Sequence, residues 1–544
     1  MKKTNLRKLL AACTAIVMTM GMFASCGSGG DTQSRSYISK SENRISKDDG
    51  IYDNIQENVC IDEDMNNEEY ASTRKNGYKL VSENPLSTFS TDVDTASYTN
   101  VRRMINNGEQ INTDAVRVEE FINYFKYNYP QPKDEMVGIT TDLTDCPWNN
   151  DAKLMLVGMQ AKAVETKNVP MNLVFLIDVS GSMMSDDKLP LVQQAFSMLA
   201  ENLGDEDRIS IVTYAGEEKV VLEGAKGSDS DKIINALNEL EAGGSTAGEA
   251  GINKAYKLAE ENYIEGGNNR VILATDGDLN VGVSSAEELT SLVEQKRETG
   301  IALSVLGFGT GNLKDDRLEA LADNGNGNYS YIDSLEEAER VLVTEMSGTL
   351  FTVAKDAKIQ VEFNPQNVYS YKLIGYENRA LNDEDFDDDT KDAGDIGAGQ
   401  QVTALYEIIL AEGANIKDTG KVVCGKKDLK YESSEEEISA EQDSDLSGEL
   451  LTVSMRFKNS QENENDSRLV QVPVAMSSYH KDMADYTRFA AAVAQFAMYL
   501  RGDKEMKSLD INGLTENLKS SGAAKYEYYE EFKNIVLEYQ NSYK

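Results

Sequence analysis

The stretch Leu173-Val-Phe-Leu-Ile-Asp-Val-Ser-Gly-Ser-Met183 decides the fold of this chain. Its first five residues are apolar, which is typical of a strand buried on both faces of a sheet. Immediately after them, one carboxylate (Asp178) and two hydroxyls (Ser180 and Ser182) occupy alternate positions. Open α/β sheets bind ligands at the carboxyl ends of their strands. Because grouped oxygen ligands suit a hard divalent cation such as Mg²⁺, the stretch predicts a cation site at a sheet edge.

Strand and helix patterns alternate through the region around this stretch, residues 172–346. Apolar residues at steps of three and four predict one helix with a single apolar face, and they are Leu189, Val192, Phe196, Leu199 and Leu203. Capping boxes that begin at Ser285 and Ser334 predict two later helix starts. The alternation predicts an α/β fold, a mostly parallel sheet with helices on both faces.

Two more loops of this region offer ligands to the same ion. Gly243-Gly-Ser-Thr246-Ala-Gly248 places Thr246 among glycines, which allow close backbone approach. Ala274-Thr-Asp276-Gly-Asp278 follows another predicted strand, so Asp276 also lies at a carboxyl end. The loops together supply two carboxylates and three hydroxyls. Because hydroxyls are weak ligands, we expect the ion to keep an open position that a partner's carboxylate can fill.

The order and spacing of these three loops resemble the metal-ion-dependent adhesion site of von Willebrand factor type A (VWA) domains. The resemblance implies a Rossmann-like VWA domain at 172–346, with Mg²⁺ (or Mn²⁺ or Ca²⁺) at the site. It also implies a protein or matrix ligand that donates an acidic residue. Five metal ligands carry over by position: Asp178, Ser180, Ser182, Thr246 and Asp276. Asp278 has no sure counterpart among those ligands.

The strand pattern at 153–164 comes before the α/β region and has no sheet of its own. An all-β pattern returns after residue 350, with predicted strands at 358–363, 369–376, 401–410, 450–457 and 469–474. We predict that the early strand pairs with the later ones. The VWA domain would then be inserted in a β-sandwich formed by residues 151–171 and 350–477.

Small helical modules are predicted on both sides, at 86–150 and 480–544. Asp92 and Asp94 suggest a metal pair, but their place before a helix favours a capping role. Arg501-Gly502-Asp503 matches a tripeptide that some host integrins recognise, but glycine at this position favours a helix C-cap.

The residues flanking the VWA region resemble those of an uncharacterised family of bacterial VWA lipoproteins. The segments that carry this resemblance are Ser87 to Tyr98 and Tyr486 to Arg501. The resemblance covers most of residues 86–505 and refines the architecture more than the function.

The N-terminus has the pattern of an export signal. Four basic residues open it: Lys2, Lys3, Arg7 and Lys8. The apolar run Leu9 to Ala24 is shorter than the ~20 residues of a membrane-spanning helix. Phe23-Ala-Ser-Cys26 resembles a bacterial lipobox, although Leu is usual at the position of Phe23, and it implies lipidation of Cys26. The alternative is an ordinary cleaved signal with an incidental cysteine. We therefore predict a lipoprotein signal peptide at 1–25, a disordered tether at 26–85 and a lipid-anchored, outward-facing protein.

Composition argues against several other classes of protein. A net charge of −39 disfavours nucleic acid as a partner. The single histidine, His480, argues against a His-rich zinc site and against catalytic triads or dyads that need an imidazole. The acidic stretch Asp383 to Asp388 lacks the glycine that an EF-hand loop requires. Beyond the lipobox, Cys60, Cys146 and Cys424 allow at most one intrachain disulfide.

The sequence therefore predicts a surface-anchored protein that is not an enzyme and that binds a protein or matrix ligand through the metal ion. A scaffold role in assembling an envelope complex, through the same site, is the alternative. A metal-dependent hydrolase has the least support, because the site offers no recognisable general base.

Overall fold

The structure is a computed structural model. It describes residues 67–164, 169–244, 248–277, 286–345, 348, 350–411, 430, 448–460 and 467–543. Several predictions fall on residues outside these ranges: the signal peptide 1–25, the tether up to residue 66, Cys26, Cys60, Thr246, Asp278, Ser285 and Cys424. Among the helices of the described residues, none has the length and apolar character needed to cross a bilayer.

The strands of the described residues are, in chain order, β1 (Lys79–Leu80), β2 (Leu86–Ser90), β3 (Val137–Asp145), β4 (Lys153–Ala161), β5 (Met171–Asp178), β6 (Arg208–Tyr214), β7 (Glu218–Lys226), β8 (Asn268–Thr275), β9 (Ala302–Phe308), β10 (Tyr329–Ile332), β11 (Thr352–Phe363), β12 (Val368–Ile374), β13 (Gly394–Gly397), β14 (Gln401–Leu410), β15 (Glu449–Asn459) and β16 (Ser467–Ala475). The α-helices are α1 (Ala96–Asn107), α2 (Val118–Tyr124), α3 (Leu189–Ala200), α4 (Ser230–Asn238), α5 (Gly248–Glu261), α6 (Ala286–Arg297), α7 (Asp315–Asn324), α8 (Leu335–Glu339), α9 (Asp485–Leu500), α10 (Ile511–Lys519) and α11 (Tyr529–Ser542).

The central sheet has the order β10-β9-β8-β5-β6-β7. Every neighbouring pair is parallel except β6 and β7, which are antiparallel. All eight residues of β5 are buried, as its apolar run predicts. Apolar side chains from α3, α4 and α8 pack on one face of the sheet, and those from α5, α6 and α7 pack on the other. The predicted Rossmann-like α/β domain is therefore confirmed.

The helix predicted after β5 begins at Leu189, and its apolar face is buried against the sheet. The rings of Phe175 on β5 and Phe196 on α3 stack with centroids 4.2 Å apart. At the predicted start of α8, the Ser334 side chain accepts a hydrogen bond from the Glu337 backbone N–H at 3.2 Å. This is one of the two hydrogen bonds of the predicted capping box. The other does not form, because the Glu337 carboxylate binds Arg102 and Arg340 instead.

Two antiparallel sheets enclose a second apolar core. The first sheet has the order β1-β12-β14-β4-β3, and the second has the order β13-β11-β15-β16 with β2 also paired to β11. Strand β4 pairs with β14 along its length, from Lys153 opposite Ile408 to Gln160 opposite Gln401. A strand that precedes the α/β domain thus joins strands that follow it. The predicted insertion of the α/β domain in a β-sandwich is confirmed.

The segment 86–150 is not the mainly helical module that we predicted, because its two ends are strands of the sandwich. Strand β2 pairs with β11, and β3 pairs with β4. All five residues of β2 are buried although three of them, Ser87, Thr88 and Ser90, are polar. A buried strand rich in hydroxyl side chains lacks the apolar pattern by which strands are recognised.

The helices from the two ends of the chain form one layer and not two separate modules. Side chains of α1, α2, α9, α10 and α11 share a single apolar core. Phe125, which follows α2, contacts Phe489 of α9 edge-to-face with ring centroids 5.3 Å apart, and Phe532 of α11 at 5.8 Å. The N- and C-terminal helices therefore depend on each other for burial.

Asp92 and Asp94 do not cap α1, which begins after Thr95 without a side-chain cap. Both carboxylates bind Arg379, at 3.2 and 3.1 Å. Arg379 follows β12 of the sandwich, and it also binds Glu319 and Asp323 of α7 in the VWA domain at 3.0 and 2.5 Å. The guanidinium thus links the sandwich, the segment before α1 and the VWA domain.

The Arg501-Gly502-Asp503 tripeptide ends α9, as its glycine predicts. Gly502 has a left-handed φ of 74°, and its N–H donates to the Tyr499 carbonyl at 3.0 Å. Arg501 and Asp503 are buried and bind each other at 2.7 Å. The tripeptide is therefore a structural element whose charged side chains are turned into the protein.

Candidate metal centre at the carboxyl edge of the central sheet

Asp178 and Asp276 lie at the carboxyl ends of two neighbouring parallel strands. Asp178 is the last residue of β5, and Asp276 follows Thr275, the last residue of β8. The two strands are paired in register, with Ile177 opposite Ala274. Both carboxylates are buried, with 0% and 1% of each residue exposed. The fold therefore brings together the two carboxylates that the sequence predicts for one site.

The loop after β5 holds the first carboxylate and two hydroxyls close together. The Ser180 N–H donates to Asp178 Oδ1 at 2.8 Å and so fixes the orientation of the carboxylate. The hydroxyl oxygens of Ser180 and Ser182 are 3.0 Å apart. Adjacent ligands of an octahedral Mg²⁺ with bonds of about 2.1 Å are separated by about 3 Å. The two hydroxyls are within hydrogen-bond distance of each other, and the same spacing suits neighbouring ligands on one ion.

Thr275 is a residue of the candidate site that the sequence did not predict. Its hydroxyl donates to Asp178 Oδ2 at 3.2 Å and accepts a hydrogen bond from the Gly277 N–H at the same distance. Each oxygen of Asp178 thus has a donor, and each retains lone-pair capacity for a cation. Thr275 therefore links Asp178, at the end of β5, to the turn that follows β8.

The glycine-rich second loop starts against the first loop. The Gly243 N–H donates to the Val179 carbonyl at 2.7 Å, and the Gly181 N–H donates to the Gly244 carbonyl at 3.1 Å. Thr246 follows two residues later and lies outside the described residues. These backbone bonds bring the loop that carries Thr246 to the serine loop, and the role of Thr246 as a ligand stays a prediction.

Lys188 is a second residue that the sequence reasoning missed. Its Nζ is 2.9 Å from Asp276 Oδ2, and only 6% of the residue is exposed. The stem of Lys188 crosses Gly309, where an added Cβ would lie 2.2 Å from the lysine Cγ. Helical periodicity begins only at the next residue, Leu189, so no pattern marks this lysine as buried.

The turn after Asp276 depends on glycine. Gly277 has a φ of +102°, which L-residues rarely adopt, and an added Cβ would lie 2.4 Å from the Lys314 backbone nitrogen. Only glycine lets the turn pack against the loop that follows β9. This close approach packs the turn that follows Asp276 against that loop.

Burial is the main electrostatic effect on Asp178. Burial, with a smaller contribution from the charge of Asp276, raises the pKa of Asp178 to about 6, although hydrogen bonds from Ser180 and Thr275 oppose the shift. The carboxylate is therefore mainly ionised at neutral pH. A divalent cation would offset the repulsion between the two acids and favour their ionised forms.

The edge of the site is open to solvent. Ser182 is exposed, and Met184 two residues later has 69% of its surface exposed. His480 lies elsewhere, with its Nε2 2.5 Å from Asp142 on β3 of the sandwich. Within the described ranges, no group of three or more His, Cys, Asp or Glu residues has the arrangement of a metal site. The candidate centre thus combines two carboxylates with hydroxyls.

The fold and this sheet edge define the class of protein. Residues 172–344 match the family described as von Willebrand factor type A domain, and residues 64–156 match the family described as von Willebrand factor. Residues 348–541 match the family described as the C-terminal part of uncharacterized protein YfbK. The VWA domain predicted from the sequence is confirmed, and such a domain indicates binding of a ligand or a protein.

The chain belongs to the YfbK family. It is 42% identical over 451 residues to uncharacterized protein YfbK of Escherichia coli (strain K12), an alignment that spans 81% of this chain and 75% of that protein.

Two further matches are similar over a shorter alignment or at a lower identity. The human inter-alpha-trypsin inhibitor heavy chain H3 is 28% identical over 263 residues, which span 45% of this chain and 29% of that protein. Among solved structures, von Willebrand factor type A from Catenulispora acidiphila aligns with a TM-score of 0.39 and 16% identity. That alignment covers 70% of this chain and 89% of that structure.

Proposed function

We propose that this protein is a lipid-anchored component of the cell envelope that binds an acidic residue of a protein or matrix ligand through a divalent cation. The cation, Mg²⁺ or alternatively Mn²⁺ or Ca²⁺, would be held by Asp178, Ser180, Ser182, Thr246 and Asp276. The VWA domain supports ligand or protein binding in general. The metal, the acidic ligand and the anchor at Cys26 are the proposed refinements.

One observation carries the proposal: the two buried carboxylates lie side by side, next to two hydroxyls with the spacing of adjacent metal ligands. Asp178 ends one of two paired strands and Asp276 directly follows the other, and the hydroxyl oxygens of Ser180 and Ser182 are 3.0 Å apart. All these donors are hard oxygen atoms, which suit Mg²⁺. When bound, the ion would supply a coordination position for a carboxylate from the partner.

The charges around the site support capture of an acidic group. Two carboxylates would face a divalent ion, and Lys188 contributes a further positive charge 2.9 Å from Asp276. The sum of these four charges is positive by one unit, which favours an anionic ligand. The loop is exposed at Ser182 and Met184, so a ligand can approach the site from solvent on that side.

Binding accounts for these side chains better than catalysis does. A hydrolase needs a general base near the bound ion. Two described side chains of the site, Lys188 and Thr275, are already bound to Asp276 and to Asp178. Neither is therefore free to act as that base. His480, the only histidine of the chain, lies on the sandwich beside Asp142.

The proposed site can be tested by titration calorimetry of the purified protein with Mg²⁺. We expect one bound ion in the wild type and none in Asp178→Ala. The matched control is Asp186→Ala, which removes an exposed carboxylate from the same loop and should bind Mg²⁺ like the wild type. Unchanged Mg²⁺ binding by a folded Asp178→Ala protein would refute the site.

The ligand can be sought with the immobilised protein. Proteins retained from envelope and extracellular extracts in Mg²⁺ and released by EDTA are the expected partners, and Asp178→Ala should not retain them. Retention that is equal with Mg²⁺ and EDTA would contradict a metal-bridged contact. The identity of the captured proteins would separate adhesion to a matrix from scaffolding of an envelope complex.

A further inference from the structure

Within the described part of the chain, the buried arginines are bound to carboxylates, with one exception. Arg103 lies 3.1 Å from Glu68, and Arg501 lies 2.7 Å from Asp503. Arg117 is also buried and binds three acidic side chains, Glu120, Asp315 and Glu319. This pairing is expected, because a buried charge without a counter-charge is costly.

Arg270 on β8 is the exception. It is only 3% exposed, and within the described part of the chain no carboxylate oxygen lies within 4.0 Å of its guanidinium nitrogens. Its Nη1 donates to the Ser304 hydroxyl at 2.6 Å and its Nη2 to the Leu350 carbonyl at 3.4 Å, whereas Nε has no hydrogen-bond partner. Burial lowers the pKa of Arg270 to about 10, so the group stays cationic at neutral pH.

Arg270 lines a cleft of about 760 Å³ between the VWA domain and the β-sandwich. Asn268 and Ala302 belong to the VWA wall of the cleft, and Asp395 and Lys458 belong to the sandwich wall. Arg270 lies near the start of β8, whereas the metal centre follows the end of that strand. The cleft is therefore separate from the metal centre.

Most other charges of the cleft already have partners. Arg297 lies 2.6 Å from Asp392, and Lys458 lies 2.7 Å from Asp356. Asp395 is the acid whose charge acts most strongly on Arg270, but burial and the charge of Asp356 raise the pKa of Asp395 to about 7. Asp395 is thus only partly ionised at neutral pH, and it compensates Arg270 incompletely.

We propose that this cleft binds an oxyanion, a carboxylate or phosphate group of a small ligand, that pairs with the guanidinium of Arg270. The planar guanidinium matches the geometry of both groups and binds them more strongly in a buried setting than in water. The cleft is large enough for a ligand that is bigger than the anionic group itself. This inference is independent of the proposed metal site.

The test is titration calorimetry of the full chain with sodium acetate and with sodium phosphate at constant ionic strength. We expect saturable binding of at least one of them to the wild type, and a loss of roughly tenfold or more in affinity in Arg270→Met, as for a charged hydrogen bond. The control is Arg297→Met, which removes a cation of the same cleft that already has a carboxylate partner. This control should bind like the wild type.

The two anions separate the possible sources of the oxyanion. Tighter binding of phosphate would indicate a phosphorylated ligand, and tighter binding of acetate would indicate a carboxylic acid. The proposal is overturned if neither anion binds the wild type saturably, or if Arg270→Met binds as the wild type does. If Arg270→Met does not fold, Arg270→Lys replaces it. Lysine keeps the charge without the planar fork of donors, so weaker binding is again expected and unchanged binding overturns the proposal.

Discussion

Lys188 and Asp276 form a buried ion pair at the sheet edge, with 2.9 Å between Nζ and Oδ2. The lysine directly precedes α3, and the aspartate directly follows β8. A cation of the chain itself is therefore bound to one of the two carboxylates proposed to hold the metal. The net charge of the site therefore depends on Lys188, which is not one of the proposed metal ligands. The affinity of the site for a divalent ion depends on that charge.

In Lys188→Met, the thermal stability of the protein should depend more strongly on bound Mg²⁺ than it does in the wild type. In EDTA, we expect Lys188→Met to unfold at a lower temperature than the wild type, because Asp276 loses this buried counter-charge. Removal of one partner of a buried ion pair typically costs ~3–5 kcal/mol. Added Mg²⁺ should raise the melting temperature of the variant more than that of the wild type, because the ion restores positive charge.

Differential scanning calorimetry with and without Mg²⁺ measures this effect. Lys257→Met is the control, since Lys257 forms an exposed pair with Glu261 on α5. An equal Mg²⁺-dependent shift in Lys188→Met and the wild type would show that the lysine has no influence on the metal site.

Arg379 should be among the most important single residues for stability. Its guanidinium binds Asp92, Asp94, Glu319 and Asp323, which come from two parts of the structure. Arg379→Met would leave these carboxylates close together without the shared cation, and we expect a loss of ~3–5 kcal/mol in the free energy of unfolding. Equilibrium denaturation in urea provides the measurement.

Arg317→Met is the matched control, because Arg317 also lies on α7 but forms a half-exposed contact of 3.6 Å with Glu69. Surface pairs of this kind contribute ~1 kcal/mol or less. Similar losses in the two variants would contradict the role assigned to Arg379.

Glu119 should make the protein less stable as the pH rises. Burial, followed by the charges of Glu377 and Asp92, raises the pKa of Glu119 from an ordinary value of 4.5 to about 7. The folded protein therefore holds this proton more tightly than the unfolded chain does. The stabilisation is complete below pH 4.5 and is lost as the pH rises to about 7, with an upper limit of ~3 kcal/mol.

Glu119→Gln should remove this part of the pH dependence, because the amide stays neutral. Melting temperatures of the variant and the wild type, measured from pH 5 to pH 8, should diverge in favour of the variant toward pH 8. Glu516→Gln, at an exposed site on α10, is the control for the exchange of glutamate for glutamine. Parallel curves for Glu119→Gln and the wild type would contradict the raised pKa.

The sequence was sufficient for the features that are encoded locally. The apolar run of β5 and the residues that follow it, Asp178, Ser180 and Ser182, are contiguous, so their proximity needs no tertiary information. The position of Asp276 at the same edge as Asp178 can be predicted because parallel strands end at the same edge of a sheet. The insertion of the VWA domain can be predicted from β4. A strand pattern with no sheet of its own needs a partner strand elsewhere in the chain, and the later strands supply one.

Features that depend on tertiary contacts were missed. Lys188 is buried because the loop after β9 crosses its stem at Gly309, a contact between residues 121 positions apart. Strand β2 was missed because its hydroxyl side chains are buried against the rest of the sandwich. Asp92 and Asp94 were interpreted as helix caps because Arg379, their partner, is almost 300 residues away. In each case the deciding neighbour is distant in sequence.

The contact between Gly309 and the Lys188 stem gives a way to disturb the ion pair without changing either charge. In Gly309→Ala, the new Cβ would lie 2.2 Å from Lys188 Cγ, so the stem has to move and the ammonium leaves its position near Asp276. We expect this variant to show the same enlarged Mg²⁺-dependent rise in melting temperature as Lys188→Met. The two changes should not be additive when combined, because they act on one contact.

Gly311→Ala separates this effect from backbone strain. Gly311 also has a positive φ, +86° against +73° for Gly309, but an added Cβ there would meet nothing within 4 Å. Gly311→Ala should therefore lower stability equally with and without Mg²⁺, as strain alone does. Two outcomes would show that the Lys188 stem does not transmit the change to the metal site. One is a Mg²⁺-dependent rise in melting temperature that is the same in Gly309→Ala and Gly311→Ala. The other is an effect of Gly309→Ala that adds fully to that of Lys188→Met.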